Sequence, residues 1–138
     1  MFLTTKDFKY YLFIINQLNW QIVKSGNIIG TNNETIYNQV EKNDKILVYV
    51  SGISEIKALY EIISKYKEDV SLFHNKNYPF RFQLNLIKFF EDKTKFKDLV
   101  NKLQFIQNKE KWYTHLGGIK GITELSLRDY TALIRSLK

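Results

Sequence analysis

A chain of 138 residues with 44% hydrophobic and 15% aromatic side chains can bury one good core and is too short for two. The absence of cysteine excludes disulfide frameworks, thiolate metal sites and cysteine nucleophiles, and two histidines, His74 and His115, give little basis for a histidine-rich metal centre. The excess of 21 Lys plus Arg over 14 Asp plus Glu leaves +7, which attracts polyanions, nucleic acid first, although a basic surface also serves solubility.

The first element predicted is a strand at Tyr10–Ile15, a run of aromatic and β-branched residues closed by the polar pair Asn16-Gln17. Asn19 can cap a short helix reaching Val23 and Lys24, with Ser25-Gly26 as its left-handed stop, which places Trp20 in the first turn. Ile28-Ile29 then returns the chain to a tight loop at Gly30-Thr31-Asn32-Asn33. Residues 34–40 read as a short helix or turn, and Lys42-Asn43-Asp44 as a turn. The unbroken apolar run at 46–50, bounded by Lys45 and by Ser51-Gly52, has the pattern of a strand buried on both faces.

Residues 54–63 fit two periods. Ile56, Leu59, Tyr60 and Ile63 recur at helical spacing, while Ile56, Ala58, Tyr60 and Ile62 alternate as in a strand. Residues 66–77 are polar and irregular around an apolar knot at Val70, Leu72 and Phe73. After Tyr78-Pro79, residues 80–86 alternate cleanly, with Arg81 on the polar face. Thr94 can cap a helix carrying Phe96, Leu99, Val100 and Leu103, and residues 109–116 read as a helical turn stopping at Gly117-Gly118. Residues 120–125 suit an edge strand, and Ser126-x-x-Asp129 opens a last helix through Leu137. Neither a G-x-G-x-x-G motif nor a P-loop is present, and the element pattern suggests an α+β fold around a curved or barrel-like sheet. No apolar run approaches the ~18 to 20 residues of a membrane span. The N-terminus lacks the features of a signal peptide, so the expectation is a soluble, cytoplasmic protein without membrane contact.

A set of marks in fixed order then carries a resemblance: the Leu12-Phe13 strand, Asn19-Trp20-x-x-x-Lys24, Gly30, Asp44-Lys45 leading into the next strand, Tyr78-Pro79-Phe80-Arg81, Phe105-Ile106-x-Asn108-Lys109-x-x-Trp112, and Asp129-Tyr130. Across almost the whole chain the sequence resembles the archaeal branch of the EVE domain, a PUA-like fold related to YTH domains. The resemblance implies a partly closed β-barrel of about five to six strands with short helices around it. It tips residues 54–63 to strand. It also implies binding of DNA or RNA with a flipped, possibly modified base in a pocket at the end of the first strand. No cofactor or metal is expected, and the expected state is a monomer or weak homodimer.

The positions matching such a pocket are Asn19, Trp20, Ile29, Gly30, Thr31, Tyr49, Ser51, Gly52 and Tyr78, with Lys24, Arg81, Lys109, Lys111 and Trp112 as a basic rim. A flipped base needs aromatic platforms, amides or hydroxyls for its edge, and cations for the flanking phosphates. Trp20 either edges the pocket or plugs the core. Asn19 reads a base edge or caps its helix, Arg81 meets a phosphate or a surface carboxylate, and Trp112 lines a rim or anchors its segment. Ile29 stands where the family commonly has tryptophan, so an aromatic cage would be incomplete, leaving affinity without sharp selectivity for a methylated base.

Two other classes compete. Lys24, Thr31 and Glu34 resemble the set of ASCH-type nucleoside amidohydrolases, though the glycine-x-lysine signature is missing and nothing in the sequence lowers the lysine pKa. Alternatively, an apolar patch at 59–63 would mark an assembly module. The nucleic-acid reading requires Lys24, Arg81, Lys109 and Lys111 to line one mouth around Trp20.

Overall fold

The computed structural model describes residues 8–73, 77–91, 93–115 and 121–138; His74, Leu116, Gly117-Gly118 and Lys120 lie outside them. Six strands form one curled half-barrel sheet. They are β1 (Tyr10–Ile15), β2 (Ile28–Thr31), β3 (Lys45–Val50), β4 (Glu55–Lys67), β5 (Phe80–Phe89) and β6 (Ile122–Leu125), in the spatial order β2-β5-β4-β3-β1-β6. Three short helices accompany it, α1 (Gln17–Gly26), α2 (Glu34–Gln39) and α3 (Leu127–Ser136). This is the expected α+β, PUA-like half-barrel. β1 lies between β3, to which it is parallel, and β6, to which it is antiparallel; every other pairing is antiparallel.

Side-chain alternation divides the apolar residues into two clusters, one on each face of the sheet. Tyr11, Phe13, Ile46, Val48 and Val50 meet Trp20, Val23 and Ile36 of the first two helices. Leu12, Leu47 and Tyr49 meet Phe96, Leu99, Val100, Leu103 and Leu133 on the other face. The apolar run of β3 is thus buried on both sides, as its sequence predicts.

All but the first of residues 54–63 belong to strand β4, and their mixed periodicity has a physical cause. Ala58, Tyr60 and Ile62 point into the first cluster, but a register shift opposite Val48 and Tyr49 turns Ile56 into the second, alongside Leu59. β4 also runs on through Lys67, and β5 through Phe89, beyond the expected ends.

Two local expectations need correction. Asn16, not Asn19, caps α1: its side-chain oxygen accepts from the Asn19 N–H at 2.8 Å, and Asn27 at φ 54 is the left-handed stop. The chain turns into the helix directly at the end of β1, so Asn19 falls one turn inside and is buried. The expected helix after Thr94 is instead two successive 3-10 turns, Phe96–Asp98 and Val100–Lys102. Phe96, Leu99, Val100 and Leu103 are buried as predicted, since two i, i+3 pairs suit 3-10 turns as well as one helix. The Phe96 N–H donates to the Ser54 carbonyl at 2.8 Å, which ties the segment to the β3–β4 hairpin. At α3 Ser126 caps as expected, accepting from the Asp129 N–H at 3.1 Å. The buried Asp129 carboxylate accepts from the Gln104 and Phe105 amides at 2.8 and 3.1 Å, and Tyr130 stacks on Tyr10 at 4.1 Å.

Candidate functional site

Where β1 ends and α1 begins, the helices and loops over the first cluster stand off the sheet and leave a cavity of about 630 Å³. Its apolar walls are Phe13 and Ile15 of β1, Val23 of α1, Ile29 of β2 and Ile122 of β6. Asn16, Asn19, Thr31, Asn32, Asn33 and Ser51 supply amides and hydroxyls. Glu34 is the one carboxylate on the lining, which includes neither Lys nor Arg among the described residues. Glu34 pairs outward with Lys67 at 3.6 Å, both partners more than half exposed.

Several of these polar groups are already oriented. The Thr31 hydroxyl oxygen accepts from the Asn33 N–H at 3.0 Å, the Asn33 side-chain oxygen accepts from the Ile36 N–H at 3.0 Å, and the Ser51 hydroxyl donates to the Ile15 carbonyl at 3.2 Å. The bonds of Asn16, Thr31 and Asn33 use acceptor lone pairs. They leave the amide nitrogens of Asn16 and Asn33 and the hydroxyl hydrogen of Thr31 for another partner.

The remaining wall is aromatic. Phe73 and Tyr78 meet edge to face, 5.6 Å between centroids at 89°, and both line the cavity. Tyr78 adopts φ 48, in the left-handed region that bulky residues avoid. Its Cβ and carbonyl lie 2.9 Å from where a Cβ on Gly30 would be, so glycine is required there by close approach. Phe73 was not among the residues matched to a pocket from sequence; its signal was an apolar residue inside an otherwise polar loop. The cap Asn16 and the loop Asn33 were visible only as a polar break and a turn.

Of the residues matched to a pocket, Asn19, Ile29, Gly30, Thr31, Ser51 and Tyr78 line this cavity. Trp20, Tyr49 and Gly52 do not. Trp20 is 7% exposed and packs edge to face on Phe89 at 6.2 Å, so its indole plugs the core. Tyr49 points to the opposite face, where its hydroxyl bonds Ser54 at 2.9 Å and its ring meets Phe96. Gly52, at φ 91, makes the turn between β3 and β4 beside the Gln17 side chain.

The expected basic rim is not assembled around Trp20. Lys24 lies over the Phe89 ring at 5.8 Å. Lys109 donates to the carbonyls of Val100 and Leu103 at 2.9 and 2.5 Å, and the Lys111 N–H bonds the Asn108 side chain at 3.1 Å. Trp112 packs on Phe96 at 5.5 Å within the second cluster, on the far face of the sheet. Arg81 is buried at 2% exposure instead of facing solvent: β5 is flanked by β2 and β4 there, and the guanidinium is taken up by the backbone carbonyls of Val70, Asn77 and Tyr78 and by Glu68. Neighbouring Tyr66 has its phenol pushed up by burial, against a downward pull from the Arg81 charge.

The amidohydrolase-like set is not gathered, since Thr31 and Glu34 line the cavity while Lys24 is exposed outside it. The patch expected of an assembly module is also missing at 59–63, where Leu59 is buried and Ile63 stands exposed at a bulge.

Similarity to known proteins agrees with this architecture. A UPF0310 protein of Pyrococcus abyssi is 36% identical over 143 residues, covering 93% of this chain and 98% of its own length. Among solved structures, protein Atu2648 of Agrobacterium tumefaciens superposes with a TM-score of 0.65 at 13% identity, covering 93% and 92% of the two chains. The Pho92 YTH domain in complex with m6A superposes with a TM-score of 0.63 at 10% identity, covering 99% and 88%. Residues 9–134 match the EVE domain, and the chain belongs to the EVE-domain family.

Proposed function

We propose that this protein binds nucleic acid and accepts one flipped base, modified or not, in the cavity at the end of β1, without performing chemistry on it. The observation that carries the reading is the lining itself: an aromatic pair, aliphatic walls and convergent amides and hydroxyls, in a space of about 630 Å³ with no Lys or Arg on it among the described residues. A nucleobase needs those groups. A phosphate or a carboxylate would call instead for cations on the lining. Stacking on an aromatic side chain contributes roughly 1 to 3 kcal/mol, comparable with the cost of unstacking the base. Membership of the EVE family and the structural likeness to a YTH domain holding m6A support the same reading. The net charge of +7 supplies attraction to the strand, and Lys67, paired with Glu34 at the cavity wall, is the cation placed to exchange its carboxylate partner for a phosphate.

Ile29 gives one wall an aliphatic surface, which packs on a base face but offers no π-electrons to a cationic ring. Affinity with modest selectivity between methylated and unmethylated bases follows. The test is fluorescence anisotropy of labelled single-stranded DNA and RNA, with and without one 5-methylcytosine or N6-methyladenine, at two salt concentrations. Wild type is compared with Phe73→Ala and Tyr78→Ala. Binding that weakens about tenfold in both variants upholds the pocket. Binding unchanged in both would mean that charge alone holds the strand.

A further inference from the structure

Arg81 is among the largest fully enclosed side chains of the molecule, and burial of a cation is tolerated only when its donors are matched. They are matched here by one stretch of chain. Nε donates to the Tyr78 carbonyl at 3.2 Å, one terminal nitrogen donates to the carbonyls of Asn77, at 3.2 Å, and of Val70, and the other lies 3.5 Å from the Glu68 carboxylate. The guanidinium carbon sits 5.5 Å from the Phe73 ring centroid. Irregular chain normally turns such carbonyls to water; these converge on a single internal charge.

The strand register completes the arrangement. Arg81 pairs across the sheet with Gly30 on one side and Tyr66 on the other. Gly30 is also where Tyr78 approaches too closely for any side chain. Tyr78 is therefore held in its unfavourable backbone conformation from two directions, by a cation on its carbonyl and by the missing Cβ beneath it.

We infer that Arg81 is the positioning residue of the cavity, an internal cation that fixes the Phe73–Tyr78 wall and so governs ligand recognition without touching the ligand. Its effect on binding rests on the nucleobase reading above, whereas its hold on the wall is a property of the free protein. A guanidinium suits this task because its planar fork serves several oxygens at once; the ammonium of lysine is a single point.

Three variants test it: Arg81→Lys, Arg81→Gln and, without touching any charge, Gly30→Ala. Amide hydrogen exchange of the free proteins should accelerate about tenfold or more in residues 68–73, 77, 78 and 80 of each variant, with β1 and β3 unchanged. Anisotropy with a single-stranded RNA bearing one N6-methyladenine should show about tenfold weaker binding, and a log–log salt dependence equal to that of wild type. Exchange like that of wild type in Arg81→Lys and Arg81→Gln would overturn the inference. So would full rescue of binding by Arg81→Lys, or a salt slope lower by about one in Arg81→Gln, the mark of a lost phosphate contact. If wild type binds no oligonucleotide, the base-binding reading falls, and the exchange data alone decide whether Arg81 holds the wall.

Discussion

The two faces of the sheet are built from alternating residues of the same strands, yet one is filled and the other is hollow. On the filled face, Phe96, Leu99, Val100, Leu103, Ile106, Leu133 and Leu137 lie down on Leu12, Leu47 and Leu59. On the other, α1 and α2 pack Trp20, Val23 and Ile36 into the first cluster, and a cavity remains between Phe13, Ile29 and Ile122. The strands do not decide which face opens; the covering segments do. The 3-10 turns place four apolar residues in eight positions against the sheet. The cover of the hollow face instead presents asparagines inward. The two tryptophans follow the same division: Trp112 helps close the filled face, and Trp20 seals α1 against Phe89 outside the cavity.

The sharpest way to break this comparison is to hollow the filled face. Phe96→Ala should cost about 3 to 5 kcal/mol by denaturant unfolding, with ligand affinity of the folded fraction unchanged. A binding defect in the folded fraction would show that the two faces are coupled. Next, Asp129→Ala removes the buried carboxylate that accepts from the Gln104 and Phe105 amides and should cost about 2 kcal/mol. The expected change for Tyr60→Phe is of opposite sign. The Tyr60 hydroxyl is buried with no partner among the described residues, and its pKa is pushed up to about 12 by burial, so removing it should stabilise the protein by about 1 kcal/mol.

On the hollow face, Ile29→Trp adds bulk where there is space to receive it. A loss below about 1 kcal/mol, with affinity shifted toward a methylated base, is the expected outcome; the 1 to 3 kcal/mol typical of overpacking would mean that the position belongs to the core. The smallest effect is a pH dependence at Glu55. Burial raises its pKa, but hydrogen bonds from Lys95 and Lys57 at 2.7 and 3.0 Å outweigh it and hold the carboxyl below the usual range. The unfolded chain then binds the extra proton first. Stability from Glu55 is therefore complete above the unfolded pKa and lost as pH falls through the folded one, so Glu55→Gln should flatten the acid limb of the stability curve.

Much of the fold could be read from residue patterns because its cause is local. The runs at β1 and β3 and the alternation of β5 point to strands, and the Ser126 cap places α3. What could not be read depended on register. No local pattern says that Arg81, polar on a clean alternating strand, lands between Gly30 and Tyr66 and is enclosed. Similarly, Trp20 sits in the helix expected of it. Its direction, away from the cavity, follows from where Asn16 starts that helix. Six of the nine residues matched to a pocket line the cavity because they cluster at strand ends, which topology brings together. The basic rim did not assemble, because a lysine's sequence position says little about which carbonyl its long side chain will meet.

The parallel pairing of β1 with β3, and the closure of its other edge by β6, sets the order in which the molecule can be built. Phe13 and Ile122 are neighbours across that last ladder. During synthesis the apolar edge of Tyr10–Ile15 must wait, with one side unpaired, until residues more than a hundred positions later have emerged. Contacts of such long range slow folding and leave an edge open to pairing with other chains. The cavity wall is thus among the last surfaces to form. A refolding experiment should find ligand competence appearing with β6, after the β3–β4–β5 meander is already protected.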